Sequence, residues 1–228
     1  MKHPTPELYG ELDQAYVHFN ADLFDTVLPP CVITLQRKKR TLGYFSPERF
    51  VSVSRTTADE IALNPEHFAV KGPTDILQTL VHEMAHLWQH HFGKPGRGRY
   101  HNAEWAAKME AIGLMPSSTG EPGGKRTGDH VSDYVIEGGP FQAALERLLS
   151  REFVVSWYDR FPAACPTEGS GIADLLVPPA QTDGQGEKPA SRVKYRCGNC
   201  GAQVWGKPGL LLACGVPACR NRAFVPVL

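Results

Sequence analysis

At 228 residues, 42% hydrophobic and 21% charged, the chain has the composition of a soluble globular protein, with room for one domain of about 150 residues and a small module. Residues 1–7 contain no apolar run of signal-peptide length, and no stretch approaches the ~20 apolar residues of a membrane span. That leads us to expect a cytoplasmic protein, nucleoid association included, with Cys31 and Cys165 as free thiols.

Leu8, Leu12, Ala15, Tyr16, Phe19, Leu23 and Phe24 recur at steps of three and four, which predicts an amphipathic packing helix stopped by Pro29 and Pro30. Residues 31–35 read as a strand. The basic turn Arg37-Lys38-Lys39-Arg40 follows, then further strands at 41–45, 50–54 and 60–64.

Gly72-Pro73-Thr74-Asp75 opens a helix whose apolar residues Ile76, Leu77, Leu80, Val81, Met84, Ala85, Leu87 and Trp88 form a buried face. On it lies His82-Glu83-Met84-Ala85-His86. Residues four apart share a helix face, so His82 and His86 can grip one ion, two ligands of a zinc site. Glu83 projects beside that ion, where a carboxylate can take a proton from water activated by the metal. A catalytic zinc takes three protein ligands and keeps one position open. His101 is the best third candidate, across the loop Gly93-Lys94-Pro95-Gly96-Arg97-Gly98-Arg99, with Glu104 second on a helix expected over 103–112. His90 continues the helical spacing but lies a turn too far along, and it reads with His91 as a surface or supporting residue.

Residues 117–128 hold Gly120, Gly123, Gly124 and Gly128 and are expected to form a loop. Arg126, His130 and Tyr134 follow as candidates to stabilise an oxyanion, beside the alternative of unrelated surface polarity. Phe141, Ala144, Leu145, Leu148 and Leu149 predict a short helix, and residues 153–158 a last strand. From 161 to 190 prolines, glycines and glutamines describe a linker, with an apolar patch at 172–177.

Cys197, Cys200, Cys214 and Cys219 stand at C-x2-C-x13-C-x4-C spacing, four thiolates able to close a tetrahedron around a structural zinc. Residues 188–228 contain Lys188, Arg192, Lys194, Arg196, Lys207, Arg220 and Arg222 and no acid, a balance of +7. The whole chain sums to 0, so residues 1–187 carry −7. A basic ribbon with Trp205 or Tyr195 exposed is expected to contact nucleic acid, cations for phosphates and a ring for an unpaired base. A protein-binding or purely structural ribbon is the competing reading.

The run His82-Glu83-Met84-Ala85-His86, the following Trp88-Gln89-His90-His91-Phe92-Gly93-Lys94-Pro95, and His101 with Glu104-Trp105 resemble the SprT-like zinc metallopeptidases, the group that includes Spartan. The resemblance implies His82, His86 and His101 as zinc ligands, Glu83 as the catalytic carboxylate, and proteolysis of DNA-associated proteins. The expected architecture is α+β: a zincin-like domain over 1–160 with a small sheet packed on the metal helix, a linker over 161–190, and a zinc ribbon over 191–228. Expected cofactors are two zinc ions, one catalytic and one structural. Expected partners are a protein substrate and DNA, single-stranded or crosslinked, with no membrane, and the chain is expected to act as a monomer. The rivals are a non-catalytic zinc adaptor and a peptidase indifferent to DNA.

Overall fold

The computed structural model describes residues 3–39, 41–98, 100–159 and 193–227. The expected linker at 161–190 with its apolar patch, together with Arg40, Arg99, Cys165 and Arg192, lies outside them. The chain divides into two compact units, Met1–Pro178 and Pro179–Leu228.

In the first unit, helix α1 (Pro4–Phe24) buries the predicted stripe, from Leu12 through Tyr16 and Phe19 to Phe24. It ends at Asp25 and Thr26, both left-handed, several residues before the two prolines. The buried Asn20 side chain donates to the Leu28 carbonyl and accepts from its N–H, both at 3.1 Å, and this turns the chain toward the sheet.

Strands β1 (Val32–Leu35), β2 (Gly43–Val51) and β3 (Thr57–Leu63) form a sheet of order β1-β3-β2, with β1 parallel and β2 antiparallel to β3. The strands expected at 41–45 and 50–54 are one strand, interrupted by a bulge between Ser46 and Phe50 where Pro47 cannot donate to a ladder. Asp59 Oδ1 accepts the Glu48 N–H there at 2.7 Å. Residues 52–56 are the hairpin turn, and Glu60 stands mid-strand.

Helix α2 (Phe68–Phe92) packs on β2 and β3. It is kinked at Gly72, whose φ of 77° suits glycine and lies at the helix start predicted from Pro73. Helix α3 (Ala103–Ala111) leads into β4 (Leu114–Ser117), which pairs antiparallel with β5 (Ser132–Val135). These two strands were not expected. Helix α4 (Pro140–Leu149) closes the core against α1, with Phe141 stacked on Phe19 at 5.7 Å.

The strand expected at 153–158 is not one. Phe153 and Val155 are buried and Val154 exposed, the alternation of an extended segment. It has no ladder partner among the described residues, however, and side chains of α1 serve it instead. Glu11 accepts the Ser156 N–H at 2.8 Å, and Glu7 accepts from Trp157 Nε1 at 3.0 Å.

The second unit is an antiparallel sheet of order β7-β6-β8, from β6 (Val193–Cys197), β7 (Gln203–Gly206) and β8 (Phe224–Val227). Its small core is Cys197, Cys214 and Cys219 with Phe224 against them. No helix among the described residues is long and apolar enough to cross a membrane.

Candidate metal centres

Three turns of α2 carry the first centre. Gln78, His82, His86 and Gln89 lie three or four residues apart and so line one side of the helix. His101 is brought to that side by the loop after Gly93. The Gln89 side chain, 3% exposed, donates to Asn102 Oδ1 at 2.7 Å and to Glu104 Oε2 at 2.8 Å. Asn102 also caps α3, accepting from the Trp105 N–H at 3.0 Å. Glu104, the second candidate ligand by sequence, is engaged here instead. It accepts from the Lys94 N–H and from Gln89, which lower its pKa, and it stands outside the histidine cluster.

His82, His86 and His101 each offer a ring nitrogen, and these atoms lie within 4.8 Å of one another. His101 forms a backbone bridge with Gly128, and its Nδ1–H donates to the Gly128 carbonyl at 3.0 Å. His82 Nδ1 lies 2.7 Å from Asp133 Oδ1. Gln78 donates to the other oxygen of Asp133 at 2.7 Å and to its backbone carbonyl at 2.8 Å. Each of these two rings therefore has Nδ1 engaged and presents Nε2 to the cluster. His86 Nε2 and His101 Nε2 are 3.1 Å apart. Ligand atoms on a tetrahedral ion with bonds of about 2.0–2.1 Å stand roughly 3.3 Å apart, so the donor set fits such a metal. Trp105, fully buried, floors the cluster, stacked on His86 at 5.1 Å and edge-on to His82 and His101 at 4.9 and 4.4 Å.

The electrostatics favour neutral His86 and His101 beside a basic carboxylate, whereas Asp133 and Glu83 draw a proton toward His82. Burial lowers the pKa of His86 well below the usual value, and charge on His82 adds to this. Burial and His82 also lower His101, to about 4. Burial opposes protonation of His82, but Asp133 and the charge of Glu83 outweigh it and raise that pKa. Burial pushes Glu83 up to about 7, against the attraction of His82 and an N–H bond from Phe45.

Glu83 and the three histidines line a cleft of about 770 Å³ that Gly43, Tyr44, Phe45, His130, Asp133 and Tyr134 also line. A Cβ on Gly43 would stand 2.9 Å from the Ala62 carbonyl oxygen and 3.2 Å from Glu83 Cγ, so glycine lets β2 lie close over the carboxylate. Of the oxyanion candidates, His130 and Tyr134 face the cleft. Arg126 does not line it and is ion-paired with Glu110 of α3. Asp133 was missed by sequence reasoning. Its only signal was its place between His130 and Tyr134.

The second centre is Cys197, Cys200, Cys214 and Cys219, whose sulfurs also lie within 4.8 Å of one another, Cys200 and Cys214 at 3.6 Å. Backbone N–H groups of Cys200 and Asn199 lower Cys197 to about 6. The Val216 N–H lowers Cys214, but burial and the sulfurs of Cys200, Cys197 and Cys219 outweigh it and push it up to about 12. Four thiols this close cannot all ionise without a cation, so this donor set too fits a metal.

Residues 12–122 match the model of the SprT-like family. The chain belongs to the SprT-like family. It is also similar to the protein described as "Uncharacterized protein in mucB 3'region" of Salmonella typhimurium, 61% identical over 59 residues, which is 25% of this chain and 80% of that one. No solved structure matches the chain significantly. This SprT-like chain thus has a mixed α/β unit with three histidines that could hold a metal ion, and a C-terminal unit whose four cysteines are consistent with a zinc ribbon.

On that ribbon, Lys194 and Arg196 share the exposed face of β6 with their cross-strand neighbours Trp205 and Gln203. Trp205 is 63% exposed and Lys194 Nζ stands 5.6 Å from its ring. Lys207, Arg220 and Arg222 are exposed as well.

Proposed function

We propose that this chain is a zinc-dependent endopeptidase of zincin type that cleaves proteins associated with nucleic acid, DNA–protein crosslinks among them. One observation carries the reading: three imidazoles converge at a cleft with a buried carboxylate beside them and outside the ligand set. A purely structural site has no use for that carboxylate.

His82, His86 and His101 would hold the zinc, which would supply a Lewis acid for a peptide carbonyl and for water. The chain's own groups do the rest. Asp133 and the Gly128 carbonyl hold two of the rings in the tautomer that presents Nε2. Glu83, with its carboxyl near 7, takes a proton from the attacking water and returns it to the leaving amine. Tyr134 or His130 donates to the developing oxyanion from the cleft wall. Among the described residues strand β2 has one edge unpaired, and its residues Gly43 to Phe45 line the cleft, so an extended polypeptide can add to the sheet there.

The four cysteines bind a structural zinc that folds the ribbon. Its face of Lys194, Arg196 and Trp205, with Lys207, Arg220 and Arg222, and Arg192 on the sequence evidence alone, contacts DNA and brings the peptidase to proteins bound there. The protein works as a monomer in the cytoplasm, at the nucleoid.

The test is cleavage of a protein bound to single-stranded DNA by the full chain. Cleavage should stop with chelator, return with zinc, be absent in Glu83→Gln, and be faster with DNA than without. No cleavage under any condition would make the chain an adaptor, and equal rates without DNA would remove nucleic acid from its role.

A further inference from the structure

A third group of potential metal-ligating side chains lies outside both donor sets: Asp59 of β3 with His90, which also lines the cleft, and His91 at the end of α2. We propose that these three residues form a separate binding site for a first-row divalent cation, zinc or a neighbour in that series.

The strand places an acid where an apolar residue is expected. Along β3, Thr57, Asp59, Ile61 and Leu63 point to one face, and Ile61 and Leu63 belong to the hydrophobic core. Asp59 is 5% exposed on that face. Its Oδ1 accepts the Glu48 N–H at the bulge and its Oδ2 accepts from His91 Nε2, each at 2.7 Å. The carboxylate is held rigidly, in a fixed direction, at the shoulder of the helix.

Consecutive helix residues project about 100° apart, so His90 and His91 do not normally face each other. A ligand beyond the helix surface and between them is within reach of both. Their rings are nearly perpendicular, at 83°, with centroids 4.9 Å apart, and one atom from each of the three residues falls within 4.8 Å of the others. His90 makes no hydrogen bond among the described residues, so its nitrogens are free to bind. Both rings are exposed while the carboxylate is buried, which gives a cation a route in and a fixed anion to meet.

Binding requires little rearrangement. The N–H that His91 gives to Asp59 is replaced by a shared cation, and the neutral ring carries its proton on Nδ1 instead. Two nitrogens and one carboxylate oxygen form a donor set suited to zinc, nickel or cobalt, with water completing the shell. The ion would tie the end of the metal-bearing helix to β3. It would also reach β2, since the His90 ring lies 5.7 Å from that of Phe45, whose N–H bonds Glu83. The site does not depend on peptidase activity.

The experiment is equilibrium dialysis of the full chain against Zn2+, with zinc counted per chain. The variants are Asp59→Asn with His91→Gln, which keep hydrogen-bonding groups in place, and His90→Ala. Each should bind one equivalent less than wild type, and the loss should add to the separate loss caused by His82→Ala. Equal zinc content in variants and wild type would overturn the site. Should the variants unfold, wild-type histidine ring resonances decide: zinc added after the two main centres are filled should shift those of His90 and His91, and unmoved resonances would refute the proposal.

Discussion

Nδ1 of His82 lies 2.7 Å from Oδ1 of Asp133, across 51 residues of chain. The carboxylate, gripped in turn by Gln78, fixes which nitrogen of His82 faces the cleft. Asp133→Asn should therefore leave the fold intact and weaken metal binding by about 10–100-fold, as for other partners of metal-bound histidines. A chelator competition titration reads this directly, and unchanged affinity would show that His82 needs no such support.

Trp105 packs beneath all three histidines and is fully buried. Trp105→Ala should cost about 3–5 kcal/mol of unfolding free energy, in the range for large buried aromatics. Urea denaturation of the metal-loaded first unit's transition measures it. A loss under about 1 kcal/mol would mean that the cluster's floor collapses to fill the space.

Gly43 has no room for a side chain between the Ala62 carbonyl and Glu83. Gly43→Ala should move β2 or Glu83, costing about 1–3 kcal/mol of stability, and lower turnover more than it lowers zinc content. Unaltered turnover would separate the position of β2 from the chemistry.

Cys31 is a thiol pushed up to about 12 by burial, and burial raises Tyr16 beside it as well. In the unfolded chain these groups ionise at ordinary values, about 8.5 and 10, so above pH ~8.5 the folded state holds more protons than the unfolded state. Stability is then full below that pH and falls as pH rises toward 12. Thermal melts at pH 8 and 10 should show the drop, and Cys31→Ala should reduce its slope. Identical slopes in the two proteins would remove the thiol from the account.

Local patterns were legible in the sequence, and pairings across the chain were not. The stripes of α1 and α2, the His82/His86 pair and the cysteine spacing each depend on neighbours a few residues apart; the stripes are buried as read, and the histidines and cysteines lie in groups that could hold a metal ion. Asp133 could not be found that way, because its partners lie on a helix 51 and 55 residues earlier. β4 and β5 escaped for a similar reason. Each has four residues, one contains Pro116, and a glycine-rich loop lies between them. At 153–158 the alternation was correct, but a strand also needs a partner, and this segment bonds to Glu7 and Glu11 of α1.

The proposed peptidase chemistry requires that His82, His86 and His101 hold one ion while Glu83 stands beside it unbound. Zinc content and cleavage rate of Glu83→Gln and His101→Ala, measured side by side with wild type, test it most directly. Glu83→Gln should keep its full zinc and lose cleavage, and His101→Ala should lose one equivalent of zinc and cleavage together. Zinc lost from Glu83→Gln, or retained in full by His101→Ala, would contradict the claim.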